Sequence, residues 1–164
     1  MPVITNVNSS GIGSPINYGT TTNDNALPGM VGEVIESNLQ LANAVTLSNG
    51  IATNVTSIDL TAGDWDITGM VMLSLGLVTG NGCSAGISMV SNTMPLQTGG
   101  GGLSPGALSV QALLTTLLNG SSSIGIPSAR LSLATTTTVY LVSVYNFSLG
   151  TTKAYGSIWA RRAR

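Results

Sequence analysis

The stretch DWDITGMVMLSL, residues 64–75, carries the pattern that decides the fold class of this chain. Its large apolar side chains recur at every second position, which is the period of a β-strand with one buried face. We therefore predict a strand here, with one face in the core. That face carries Trp65, Ile67, Gly69, Val71, Leu73 and Leu75.

Other segments are also rich in β-branched and apolar residues and are bounded by turn formers. They are VGEVIE (31–36), ANAVTL (42–47), ATNVTSIDL (52–60), SAGISMV (84–90), ALSVQALLT (107–115), SARLSLA (128–134), TTVYLVSVYNF (137–147) and KAYGSIWAR (153–161). Their lengths and spacing predict an all-β, antiparallel sandwich or barrel. One alternative stays open, because LSVQALLTTLL (108–118) also fits an amphipathic helix.

Short glycine-containing segments predict the connections between these strands. TAGD (61–64) and LGTT (149–152) each join two strong strand candidates and are predicted to form hairpin loops. GNGCSAG (80–86) looks like a phosphate-binding loop, but it lacks the Lys-Ser/Thr pair that reaches the phosphates. We interpret it as a further hairpin turn, with Cys83 as a small buried residue.

Charge is scarce and unevenly distributed along the chain. Charged residues make up 7% of the sequence, where a soluble domain usually carries about 25%. All six acids lie within residues 1–66, and all five bases lie from residue 130 onward. A surface with so little charge is poorly protected against association, so we expect protein partners.

Two classes of partner are not expected. Nucleic-acid binding normally needs a basic domain, whereas this chain has a net charge of −1. The longest apolar stretch, MVMLSLGLV (70–78), is far shorter than the ~20 residues of a membrane span, and MPVITNVNSS (1–10) does not read as an export signal. We therefore expect neither nucleic acid nor membrane as a partner.

The sequence also argues against the common enzyme classes. It contains no histidine and one cysteine, which excludes Ser–His and Cys–His catalysis and nearly excludes a classical zinc site. Asp64 and Asp66 flank Trp65 and could act as an acid/base pair on a sugar or hold a hard cation. We favour the simpler interpretation, in which both carboxylates face solvent while Trp65 points inward. We expect no catalytic residues, no metal and no cofactor.

Residues 1–30 differ in composition from the rest of the chain. They mix Pro, Gly, Asn, Ser and Thr with scattered aliphatics and show no sustained period. We predict an amino-terminal arm over residues 1–30 that anchors to other subunits, followed by a β-sandwich domain over residues 31–164. The residues predicted to contact partners are Ile4, Ile12, Ile16, Tyr18, Leu27, Met30, Arg161, Arg162 and Arg164.

The carboxyl-terminal stretch KAYGSIWARRAR (153–164) alternates and is predicted to be the final strand. Ile158 and Trp159 should pack on opposite faces of it. Residues 162–164 should stay free to reach carboxylates of the same or a neighbouring protomer, such as Glu33, Glu36 or Asp66.

Three stretches together carry a resemblance to a known group of proteins: TTNDNALPGMVGEVIES (21–37), TSIDLTAGDWDITG (56–69) and RLSLATTTTVYLVSVYNFSLGTTKAYGSIWARR (130–162). Over roughly residues 20–164 the chain resembles small virion structural proteins of tailed bacteriophages and prophages, of the capsid decoration or fibre type. The resemblance implies a β-sandwich or jelly-roll, typically a homotrimer, displayed on a virus particle that is assembled in the bacterial host cytoplasm.

The resemblance and the low charge together suggest a non-enzymatic virion protein. We expect a homotrimer that decorates and cements the capsid surface, with the major capsid protein or other virion subunits as partners. The alternative is a head- or tail-fibre tip that binds host-cell glycans through loops around residues 92–106 and 119–127.

Overall fold

In a computed structural model of the chain, the structure describes residues 25–95, 108–112 and 117–164. These residues form seven β-strands and one turn of 3-10 helix (Leu41–Asn43). The strands are β1 (Val34–Leu39), β2 (Val45–Leu47), β3 (Thr53–Leu60), β4 (Gly63–Ser88), β5 (Leu108–Ala112), β6 (Leu117–Leu133) and β7 (Thr137–Arg162). Every strand pairing is antiparallel, and the all-β fold class predicted from the sequence is confirmed.

Strands β4 and β7 organise the fold, because each is 26 residues long and they pair along most of that length. Their ladder runs from Trp65 opposite Arg162 to Ser88 opposite Tyr140. On the other side of β4, β6 pairs with its first part and β5 with its second. On the other side of β7, β1 and β2 pair with its second half and β3 with its first.

The long β4–β7 ribbon bends near its middle and folds over on itself. The register shifts between Gly76 and Gly82, and at the bend Leu77 has a φ of 51° and Gly150 a φ of 83°. Gly150 lies against the carbonyl of Gly76, so a side chain would not fit there. Beyond the bend, Leu141 of one half packs over Gly69 of the other. The result is a jelly-roll-like sandwich of two layers.

The core lies between these layers and contains the face predicted from residues 64–75. Trp65, Val71 and Leu73 are fully buried, together with Leu141 and Val139 from the opposite half of the ribbon. Cys83 is also buried, as expected, and its burial raises the pKa of the thiol to about 11, which keeps it protonated and unreactive.

The three hairpin predictions are wrong. TAGD does connect β3 to β4, but β3 pairs with β7 and not with β4. GNGCSAG lies inside β4 and LGTT inside β7. Glycine permits a strand to bend and change layers as readily as it permits a chain reversal, so the local sequence does not separate the two cases.

Two further expectations can be compared with the strands. Residues 108–112 and 117–118 are strand, which favours the strand prediction over the helix for this segment. Residues 119–127, expected to be a loop, belong to β6. Across the described part of the chain, none of the helices has the length and apolar character that crossing a membrane requires.

Candidate functional site at the amino-terminal corner

Residues 27–33 form two successive tight turns just before β1, and we call this segment the amino-terminal corner. The backbone N–H of Met30 donates to the carbonyl of Leu27, and that of Glu33 to the carbonyl of Met30, both at 3.0 Å. The turns leave Leu27, Met30 and Val31 pointing outward with 70%, 59% and 53% of their surface exposed. A small group of large apolar side chains therefore projects where the amino-terminal segment enters the sandwich.

The corner is joined to the end of β7 by backbone hydrogen bonds. Gly32 N–H donates to the carbonyl of Arg162 at 3.0 Å, and Arg162 N–H donates to the carbonyl of Glu33 at 2.8 Å. Ala163 N–H donates in turn to the carbonyl of Asp64 at 2.8 Å, which ties the end of β7 to the start of β4. The entry point of the amino-terminal segment is thus fixed to the two longest strands.

A buried ion pair reinforces this attachment. Arg162 Nε donates to Glu33 Oε2 at 2.8 Å, and the two side chains are only 6% and 9% exposed. The guanidinium also donates from Nη1 to the Ala62 carbonyl at 2.9 Å and from Nη2 to the Thr61 hydroxyl. It lies 4.2 Å from the ring centre of Trp65, in cation–π contact. The buried arginine is therefore well satisfied.

The environment of Glu33 keeps its carboxylate ionised. Burial alone raises the pKa of this group, but a hydrogen bond from Gly29 N–H at 2.9 Å and the bond and charge of Arg162 outweigh it. The pKa of Glu33 is consequently lower than its ordinary value. The pair is charged on both sides at neutral pH, and it holds the corner in one geometry.

Asp64 forms a second cluster beside the first. Its Oδ2 accepts hydrogen bonds from Arg130 Nη2 at 2.8 Å and from Arg164 Nε, and these bonds hold the pKa of Asp64 well below its usual range. Its side chain is 8% exposed, so the expectation that both acids face solvent is wrong for Asp64 and right for Asp66. A carboxyl held as an anion by two arginines is unsuited to donate a proton as a general acid.

The predicted contact residues have different outcomes. Ile4, Ile12, Ile16 and Tyr18 lie outside the described residues. Leu27 and Met30 are exposed at the corner, and Arg161 is exposed on β7. Arg164 is exposed but paired with Asp64. Whether any of them contacts a partner stays a prediction.

Arg162 differs from its prediction in one respect and agrees in another. It is buried, so the expectation that it is free to reach a partner is wrong. It does bind Glu33, one of the three carboxylates expected as its targets, within the same chain. The alternation that places Ile158 and Ala160 in the core continues to position 162, and this signal could have predicted its burial. Thr61 and Trp65, which help to hold it, were not predicted as parts of the site.

The chemistry of these clusters is structural. Among residues 25–95, 108–112 and 117–164, no group of three or more His, Cys, Asp or Glu side chains is arranged to hold a metal ion. Glu33 of the corner and the neighbouring Asp64 are bound to arginines, and what remains exposed at the corner is apolar. The arrangement can fix a segment in place and offer aliphatic side chains to a surface.

Comparisons with known proteins returned structures of virus particles. No family model and no curated protein matches the chain. A structure of the infectious bursal disease virus Gx strain matches with 15% identity and a TM-score of 0.47, covering 93% of this chain and 37% of that one. The infectious bursal disease virus VP2 subviral particle matches with 15% identity and a TM-score of 0.43, covering 79% and 30%. This chain spans about a third of the length of those proteins, and neither comes from a tailed bacteriophage.

Proposed function

We propose that this chain is a non-enzymatic structural protein of a bacteriophage particle, which decorates and cements the capsid surface as a homotrimer. The observation that carries the proposal is the amino-terminal corner, where exposed aliphatic side chains project from a rigidly attached segment. A cement protein needs both properties, since it must contact the shell and must also transmit load into its own fold.

The attachment of the corner suits a load-bearing contact. Force on residues 1–30 would pass through the Glu33–Arg162 pair and the neighbouring backbone bonds into β7. Strand β7 pairs with β1, β2, β3 and β4, so the load is shared by most of the sandwich. An arm attached in this way would detach from the shell before it pulled out of the domain.

The exposed residues can supply useful binding energy. Full burial of a side chain such as Leu27 or Met30 contributes about 1.5–3 kcal/mol. One corner would therefore bind weakly, whereas three corners in one trimer would hold by avidity, because the second and third contacts become intramolecular.

The first test is deletion of residues 1–25 followed by binding to purified heads that lack this protein. We expect the truncated chain to lose most of its head binding and to keep only the weak contact of the corner, while its urea unfolding transition stays unchanged. Full occupancy of heads by the truncated protein would refute the arm proposal.

A matched pair of variants narrows the test to the corner. The double substitution Leu27→Ser and Met30→Ser should weaken head binding, because it removes apolar surface without altering the bonds that hold the corner. The control is Leu149→Ser, which replaces a leucine of similar exposure at the bend of the ribbon. If both variants weaken head binding equally, the corner is not a specific contact with the shell.

The glycan-binding alternative makes a different prediction. A fibre tip would bind bacterial cells and leave purified heads unoccupied. Part of the surface expected for it, residues 119–127, belongs to strand β6 instead of a loop, so we place the glycan-binding alternative second.

A further inference from the structure

One layer of the sandwich presents an exposed face with an apolar centre. We define the outer face as the solvent side of β1, the second half of β7, the first part of β4, and β6. Trp159 is opposite Glu36 on β1 and Thr68 on β4, so the three side chains share this side of the sheet. Trp159 is 41% exposed, whereas the other tryptophan, Trp65, is fully buried.

The apolar centre continues along the strands from Trp159. Met70 follows two positions along β4 from Thr68, opposite Ser157, and is 40% exposed. Tyr155 and Met72 lie opposite each other in the next outward-facing row and are half-buried. Aromatic residues and methionine are enriched at the centres of protein interfaces, and a tryptophan so placed is a common energetic hot spot.

Charged residues of both signs surround this centre. Arg161 lies opposite Asp66, and Asp66 lies opposite Arg130 on β6. Glu36 lies beside Trp159, and Lys153 extends from β7 at the other end of the face. A polar rim around an apolar centre is the usual anatomy of a protein–protein interface.

The face is large enough for a specific contact. Strand β1 contributes its six residues, and each of the other three strands contributes about ten. At about 3.3 Å per residue and about 4.8 Å between strands, the face covers about 600 Å². Two such faces bury about 1,200 Å² in total, above the ~1,000 Å² that separates specific interfaces from incidental contacts.

We propose that the outer face is the contact between copies of this chain, with Trp159 at its centre. The mixed rim favours a second copy as the partner. Because acids and bases lie side by side on it, an acid of one copy can face a base of the other. A nucleic acid would need a strong excess of bases, whereas the rim has three bases and two acids. A glycan would gain little from Met70 and Met72, whose thioethers are poor hydrogen-bonding groups.

A face that meets the same face on a second copy makes a twofold contact, so the proposal goes beyond the homotrimer of the proposed function. It does not depend on capsid binding. Self-association is measured on the isolated chain, and head binding is measured on particles. If the isolated chain does not self-associate, head binding still tests the capsid proposal. If the chain does not bind heads, its self-association can still be measured.

The test is sedimentation velocity of the full chain between about 1 and about 100 µM, a range that covers weak and moderate dissociation constants. We expect the wild-type chain to sediment as an oligomer and Trp159→Ser to weaken association by about 30-fold or more. Leu149→Ser, at the other end of the sandwich, should associate as the wild type does. A monomeric wild-type chain, or an unchanged mass for Trp159→Ser, would overturn the proposal.

Fluorescence quenching supplies a second readout that does not rely on a variant. Trp159 should be quenched by acrylamide in dilute protein and protected as the oligomer forms, while Trp65 stays protected throughout. An oligomer in which Trp159 remains accessible uses another surface and refutes the assignment. Met70→Ser repeats the sedimentation test with a smaller change if Trp159→Ser does not fold.

Discussion

At the scale of single residues, Arg162 joins more parts of the molecule than any other side chain in the site. It binds Glu33 before β1, contacts Thr61 and Ala62 between β3 and β4, and covers the ring of Trp65. Taking a guanidinium out of water is costly, and this cost is offset because each of its three nitrogens donates a hydrogen bond and its charge is paired with Glu33. Its removal would leave the Glu33 carboxylate buried without its countercharge.

We expect Arg162→Met to lower the free energy of unfolding by about 3–5 kcal/mol, the usual result of breaking a buried ion pair by removing one partner. Urea denaturation followed by circular dichroism measures the change. Arg161→Met is the matched control, because Arg161 is exposed on the same strand, and it should change stability by about 0.5 kcal/mol or less. Similar losses in both variants would contradict the structural role of the pair.

The carboxyl groups of Glu33 and Asp64 predict the acid side of the stability profile. Hydrogen bonds hold the pKa of each below its ordinary value, so each stabilises the folded state when ionised. This contribution is complete above the unfolded-state pKa of about 4 and is lost as the pH falls toward the folded-state pKa.

Stability should therefore be nearly constant between about pH 7 and pH 5 and should fall below about pH 4. The measurement is the urea midpoint as a function of pH. Asp64→Asn should show a shallower fall, because it removes one of the two groups. If the urea midpoint of this variant falls as steeply at low pH as that of the wild type, Asp64 does not contribute to the pH dependence of stability.

At the scale of elements, the length of β4 and β7 is the main feature that the sequence left hidden. Alternation is visible in residues 64–75 and 153–161, but glycines interrupt it near residues 76–82 and 150 and suggest separate strands. In the folded chain these glycines let one strand cross from one layer to the other. Strand identity was therefore predictable from local pattern, whereas strand continuity was not.

Gly156 in β7 offers a test of how closely the long strands approach each other. It has a φ of 147°, and a side chain there would collide with the carbonyl of Met70 on β4. Gly156→Ala should therefore destabilise the fold by roughly 2 kcal/mol or more, through backbone strain and steric overlap. Thermal or urea unfolding gives the value.

Gly125→Ala in β6 is the control for this substitution. Gly125 is also a strand glycine, but nothing lies within 4 Å of where its Cβ would be placed. The variant should be neutral or slightly stabilising, because alanine loses less backbone entropy on folding than glycine. Equal effects at positions 125 and 156 would contradict the proposed close approach.

At the scale of the whole molecule, the residues just before β1 meet the last residues of β7. The acids near the start of the chain and the bases near its end come together because β1 and the start of β4 both pair with the last residues of β7. The segregation of charge that is visible in the sequence becomes ion pairing in the fold, as in Glu33–Arg162 and Asp64–Arg164. What the sequence presents as a basic tail is largely part of the domain.

The two proposed surfaces should act independently at this scale. The chain lacking residues 1–25 should keep the oligomeric mass of the full chain, because the outer face is intact. The Trp159→Ser chain should still contact heads through its corner, but with lower occupancy, since avidity depends on the oligomer.

The sequence by itself determined the all-β class, the buried face of residues 64–75, the placement of Ile158 and Trp159 on opposite faces of a strand, and the absence of the histidine that common catalytic sites use. These follow from local periodicity and composition, which each segment carries without reference to the others. Only the tertiary structure decided which strands pair, that β4 and β7 run through their glycines, and that Arg162 turns inward to Glu33. Those outcomes depend on contacts between residues far apart in the chain, from about 50 positions for Ser88 and Tyr140 to 129 for Glu33 and Arg162. Short-range patterns do not encode such pairings.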